Sequence, residues 1–193
     1  GLYRETGSSA GIDNDCWGME RNQELLIRLF DMPKPVIAQV QGIGLAGGTD
    51  VALSCDMVIA SLESRIGFPA TRANGSPPIN WWMYHVGTQR AKRMLLTGDS
   101  VSGKDAARIG LVMDAVSAAE LEGVVNEAAR RMIVAHDPVE LFPEPVGDLK
   151  VVALVADHIE ERQIAGVMEV ALDGIRADGL LALRMQIAPE MPQ

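Results

Sequence analysis

The chain has 193 residues, 48% hydrophobic and 22% charged, a composition that fits a globular protein with a sizeable core and argues against bulk disorder. Seventeen Lys and Arg against 26 Asp and Glu leave a formal charge of -9, which argues against nucleic acid as a partner, because phosphate binding needs a basic footprint. The two cysteines, the lack of any apolar run near the roughly 18 residues that a bilayer span requires and the absence of a signal-peptide layout in "GLYRETG" favour a reducing, cytoplasmic setting with no membrane partner.

Residues 1–17 read as loop, since Gly7, Ser8, Ser9 and Gly11 favour turns. From about Met19 to Phe30, the apolar residues Leu25, Leu26, Leu29 and Phe30 recur at helical spacing, and Pro33 and Pro35 stop the helix. "VIAQV", 36–40, is a β-branched strand running into a glycine turn, and 47–55 reads as a short helix. "MVIA", 57–60, and "SRIGF", 64–68, are strands. Residues 69–87 predict a loop that re-enters a short helix carrying Trp81, Trp82 and Tyr84, followed by a helix over 88–96. Ser102 and Asp105 have capping-box spacing before a short helix that Gly110 ends in the left-handed conformation. "LVMDAV", 111–116, is a strand, and Ser117 with Glu120 caps a helix to about Val134. Alternating strands and helices in this order indicate an α/β core. Residues 149–185 read as helical and as packing surface, for the chain itself or for a partner subunit. No internal repeat or low-complexity segment is present.

The glycine turn "GIGLAGGTDVALSCD", 42–56, is the segment richest in chemistry. A strand that ends in tight glycines and passes at once into a helix leaves backbone N–H groups unpaired at the helix start. Gly47 and Gly48 let a ligand approach the backbone because no Cβ intrudes. Such N–H groups stabilise a phosphate or an oxygen that becomes anionic during reaction. Gly42, Gly44 and Gly47 do match G-x-G-x-x-G, but the return to a strand at Met57 leaves a helix too short for a dinucleotide-binding crossover. A P-loop sequence is absent. Asp50 reads in two ways: as a first-turn acid stabilised by the helix macrodipole, or as a proton-handling group behind the turn.

Two blocks in order resemble the enoyl-CoA hydratase/isomerase (crotonase) superfamily. "KPVIAQVQGIGLAGGTDVALSCDMVIAS" resembles its strand, glycine turn and short helix; "QRAKRMLLTGDSVSGKDAARIGLVMDAV" is similar to the helix, T-G turn, short helix and strand that follow. The resemblance covers roughly residues 32–134, with a faint likeness in "ALDGIRADG" beyond. It implies a spiral of β-β-α turns over residues 1–134 as a partial core, followed by a C-terminal helical region, 135–193, involved in trimer contacts. The implied ligand is an acyl-CoA thioester, with coenzyme A entering as part of the substrate and no separate cofactor or metal; the implied assembly is a homotrimer or hexamer. By position, Gly47 matches one of the two backbone donors of the family's oxyanion hole. The other donor belongs to an earlier segment not found here, and the start at Gly1 is expected to follow it.

The family's hydratases add water with two glutamates. The first falls at Asp50, a shorter carboxylate, and the second at Ala70, which can neither give nor take a proton. Some dienoyl-CoA isomerases carry an aspartate at the Asp50 position but keep acids at positions matching Ala70 and Pro78, both absent here. The resemblance therefore implies an enzyme in which Asp50 acts alone beside Gly47, its pKa raised by desolvation, or a non-catalytic acyl-CoA-binding or structural homologue. Gly48, Pro69, Ala70 and Gly75 are expected to line the acyl site. Trp81 and Tyr84 wall the same pocket or, alternatively, fill the core or a subunit contact. Arg90, Lys92 and Arg93 read as solvated surface or as a contact to CoA phosphates. His85, His136 and His158 lie on separate segments without a zinc layout, neither cysteine has an adjacent base, and Ser76 lacks a nucleophile elbow.

Overall fold

A computed structural model describes residues 12–73, 75–135, 152–157 and 182–186 of the chain. Helix α1 spans Ile12–Phe30 and buries Leu25, Leu26 and Leu29 while Ile27 and Phe30 stay exposed, the single apolar stripe that helical spacing produces. It begins earlier than expected: residues 12–17, read as loop, are its first turns.

The chain then winds through successive β-β-α turns. Strand β1 (Val36–Gln41) is followed by β2 (Ile43–Leu45) and helix α2 (Gly47–Leu53). Strand β3 (Met57–Ser61) is followed by β4 (Arg65–Gly67), a 3-10 turn (Pro69–Ala73) and helix α3 (Trp82–Thr97). Strand β5 (Ser100–Ser102) leads into α4 (Gly103–Ile109), β6 (Asp114–Val116) and α5 (Leu121–Ala135). Within each turn one strand joins a large sheet and the other a small one. The large sheet has the order β6-β3-β1-β7-β8 and the small one β2-β4-β5. All pairs of the large sheet are parallel; in the small sheet β4 runs parallel to β2 and antiparallel to β5. The expected spiral is therefore the architecture of the described residues.

Strands β7 (Val152–Asp157) and β8 (Ala182–Gln186) lie inside the stretch expected to be helical. They correct that expectation for these residues. β7 pairs with β1 from Val36 opposite Val152 to Gln41 opposite Asp157. A short apolar run such as "VALVA" fits a doubly covered parallel strand as well as a helix, and periodicity alone does not separate the two.

Alternation along β1 and β3 divides the core. Val36, Ala38, Val40, Val58 and Ala60 join the main cluster with α1, α2 and Trp82. Ile37 and Ile59 face the other way, onto Leu121, Val125 and Ala129 of α5, spaced four residues apart on one helix face. Each buried Val, Leu or Ile side chain among these contributes about 1.5–3 kcal/mol relative to exposure.

Candidate active site

The site is built where β1 and β2 deliver the chain to α2. Gly42 turns the chain with φ 81°, and its carbonyl accepts from Arg65 N–H at 2.8 Å. Ala46 then takes φ 51° and ψ -121° as the N-cap of α2. The first acceptor bonds of the helix run from Thr49 N–H and Asp50 N–H to Ala46 O, at 2.9 and 3.1 Å. Among the described residues, no carbonyl accepts from the N–H of Gly47 or Gly48, the two donors that a helix start leaves unused. All seven residues of α2 are buried. Asp50 is only 2% exposed and stands one turn behind Gly47.

Thr49 fixes this turn against the next segment of the spiral. Its hydroxyl reaches Gly44 O at 2.5 Å and Gly67 O at 2.9 Å, and Gly67 N–H lies 3.3 Å from the same oxygen. Ala46 N–H also donates to Gly67 O, at 2.8 Å. Gly67 ends β4, so these bonds bring the segment Phe68–Pro69–Ala70 beside the glycine turn. Gly67 has no room for a side chain, since a Cβ there would sit 2.5 Å from Asp99 O and 2.7 Å from Ser100 Cα.

Pro69 and Ala70 open the 3-10 turn, half-buried. Gly75 N–H donates to Ala70 O at 2.8 Å, and a Cβ at Gly75 would meet the Ala70 methyl at 2.8 Å. Gly75 thus packs so near Ala70 that it has no room for a side chain, and residue 70 presents a methyl. Beyond it, the Arg72 Nε donates to Thr97 O at 3.0 Å and its guanidinium pairs with Asp99 at 3.4 Å, tying the 3-10 turn to the end of α3.

The expected short helix around Trp81 and the one after it form a single run, with Gly87 at φ 72° and ψ 166° marking the break between them. Trp81 stacks on Phe30 with ring centroids 4.3 Å apart and meets Tyr84 edge-on at 5.5 Å. Tyr84 is 83% exposed, and these rings form a ladder between α1 and α3. Hydrogen bonds through Ala46, Thr49 and Gly67 thus tie the glycine turn to the end of β4, and Gly75 is bonded to Ala70, whereas Trp81 packs on Phe30 and Tyr84 on Trp81.

The remaining reactive side chains have structural partners. His85 Nε2 lies 3.2 Å from Leu53 O, at the far end of α2 from Gly47. Arg90 donates to Ile109 O at 3.3 Å, and Arg93 pairs with Asp99 at 3.6 Å. Burial pushes the Cys55 thiol far up from its ordinary value, with the Asp56 carboxylate adding to the shift, so this sulfur is no nucleophile. Among the described residues no cluster of three His, Cys, Asp or Glu could hold a metal, and no helix is long and apolar enough to cross a membrane. His136 and His158 lie outside the described residues. A cavity of about 460 Å³ opens near His85, Asp56, Val58 and Val112, and no predicted site residue lines it.

Sequence reasoning missed two contributors. Thr49 had a faint signal, a polar residue inside a short, otherwise buried helix. Ala46 had none, because alanine carries no mark of a positive φ.

A family model described as enoyl-CoA hydratase/isomerase matches residues 7–142. The chain is 30% identical over 173 residues to a 2,3-dehydroadipyl-CoA hydratase of Escherichia coli, covering 86% of this chain and 66% of that protein. It is 37% identical over 121 residues to a short-chain-enoyl-CoA hydratase of Clostridium acetobutylicum, covering 58% of this chain and 44% of that protein. Among solved structures, an enoyl-CoA hydratase of Mycobacterium smegmatis superposes with TM-score 0.56 at 28% identity, over 82% of this chain and 48% of the other. The chain thus spans only part of the length of the relatives it matches.

Proposed function

Because the chain belongs to the enoyl-CoA hydratase/isomerase family, we propose that it binds an acyl-CoA thioester, Gly47 N–H donating to the thioester oxygen and Asp50 handling the proton. The observation that carries this reading is the pairing of a 2% exposed carboxylate with an uncommitted N–H one helical turn away. Asp50 takes a proton from a carbon next to the thioester or to its double bond. The bonding electrons move onto the carbonyl oxygen as an enolate, which Gly47 N–H stabilises. The same carboxyl group returns the proton to another carbon, completing an isomerisation in which no atom is gained or lost. Hydration requires in addition a group that activates water, and Ala70 offers none. Coenzyme A enters with the substrate, no separate cofactor is needed, and the working form is a homotrimer or hexamer. Gly48, Pro69 and Gly75 line the acyl site, with Trp81 and Tyr84 at its outer wall.

Asp50→Asn tests this role. Removing a positioned general base costs about 10²–10⁴-fold in rate, so the variant is expected to bind acyl-CoA but to lose turnover of unsaturated acyl-CoAs, followed through double-bond absorbance. Unchanged turnover would remove Asp50 from the chemistry. A second reading, a non-catalytic acyl-CoA binder, is favoured by Ala70, a methyl where the family's hydratases use a second acid; it predicts binding without turnover by both wild type and variant.

A further inference from the structure

Ala46 is the one non-glycine with a positive φ among the described residues. Its pair of angles, φ 51° and ψ -121°, lies outside the wells that L-residues favour and is open mainly to glycine. Sparsely populated backbone of this kind persists only where the surroundings over-determine it, and it clusters at working sites. Turning the Ala46–Gly47 peptide over, by about 180° in ψ, would carry Ala46 close to the left-handed well at roughly φ +57°, ψ +47°, which an alanine tolerates better. The peptide is planar, so the same rotation would reverse the Gly47 N–H.

Two bonds oppose that rotation. Thr49 N–H and Asp50 N–H both donate to Ala46 O, and turning the peptide over breaks both. Ala46 N–H belongs to the preceding peptide, and its bond to Gly67 O holds the pivot in place. The Thr49 hydroxyl, bonded to Gly44 O and Gly67 O, anchors one of the two latching residues. The backbone preference of Ala46 and the first turn of α2 therefore pull the Gly47 N–H in opposite directions.

We propose that Ala46 is a positioning residue that makes Gly47 a two-state donor for the enolate oxygen of an acyl-CoA. With Ala46 O latched by Thr49 and Asp50, the Gly47 N–H faces the ligand; with it released, the N–H turns away. The inference rests on the oxyanion reading of Gly47. An anionic oxygen binds only the latched state and shifts the population toward it. Because Asp50 supplies one latch, the oxyanion donor and the backbone carrying the carboxylate are set by the same event.

The test compares wild type and Ala46→Gly with two probes: acetoacetyl-CoA, whose enolate absorbs in the near ultraviolet, and coenzyme A, which has no thioester carbonyl. Glycine removes the penalty on the latched state, so the variant should bind acetoacetyl-CoA about fivefold tighter, by the fraction of competent state recovered, with a stronger enolate band. Its affinity for coenzyme A should not change. A merely structural role would move the unfolding midpoint without separating the two probes. An enolate band in wild type that Ala46→Gly leaves unaltered overturns the role of Ala46 while the oxyanion reading stands. Equal binding of both probes by wild type, with no enolate band, overturns both.

Discussion

Thr49 is the residue on which the candidate site turns mechanically. Its hydroxyl joins β2, α2 and β4 through two carbonyls, and it is fully buried. Thr49→Val keeps the shape but takes the hydroxyl away from buried Gly44 O, while Gly67 O keeps its bond from Ala46 N–H, and a buried carbonyl left without its donor costs about 1–3 kcal/mol. A fall of that size in unfolding free energy, read from urea titrations, is the expected outcome, together with weaker acyl-CoA binding as the segment carrying Ala70 loses one tie to the glycine turn. At this scale the sequence was legible where chemistry has a characteristic residue type. Gly47, Asp50 and Ala70 stand out because a glycine pair, an acid and a missing acid each say something about protons or backbone access. Ala46 does not, because its importance lies in a dihedral angle imposed by bonds from residues up to 21 positions away, such as that to Gly67 O.

Among the elements, α4 shows how a local rule sets a local structure. Ser102 caps it: Asp105 N–H donates to Ser102 Oγ at 3.1 Å, and the hydroxyl returns a bond to the Asp105 carboxylate at 3.0 Å. Gly110 ends the helix with φ 80°. The Ser102 hydroxyl, and after it the Arg108 guanidinium, hold the Asp105 carboxyl below its ordinary value. The folded protein therefore binds that proton less readily than the unfolded chain. The stabilisation is complete above the ordinary aspartate range and is lost as pH falls through the lowered folded value. Ser102→Ala is expected to cost about 1 kcal/mol near neutrality, and, because it removes the largest cause of the shift, to lose less stability than wild type on acidification. Urea midpoints measured at a series of acidic pH values compare the two slopes. Caps and glycine stops of this kind are readable from a few adjacent residues, which is why α4, Gly110 and the Gly87 break lie where the sequence puts them. Strands β2 and β5 are three residues each and owe their existence to pairing with β4, so no local pattern announces them.

For the whole molecule, the alternation of strands and helices indicates an α/β core and no more, and the spiral was legible only through the resemblance of two sequence blocks to the crotonase superfamily. The places of β7 and β8 were not, since they depend on which edge of β1 is open to pairing and on segments distant in sequence. Assembly belongs to this scale too. If the proposed trimer is the working unit, sedimentation should give a mass near three or six times the 20.7 kDa of this chain, and a monomer in solution would count against it. Cys55 adds a different kind of handle. It is sealed between α2 and the sheet, its Sγ donates to Val51 O at 3.4 Å, and burial suppresses its thiolate. An alkylating reagent can reach that sulfur only when the core parts, so in a Cys16→Ser background the rate of labelling at Cys55 becomes a clock for how often the molecule opens.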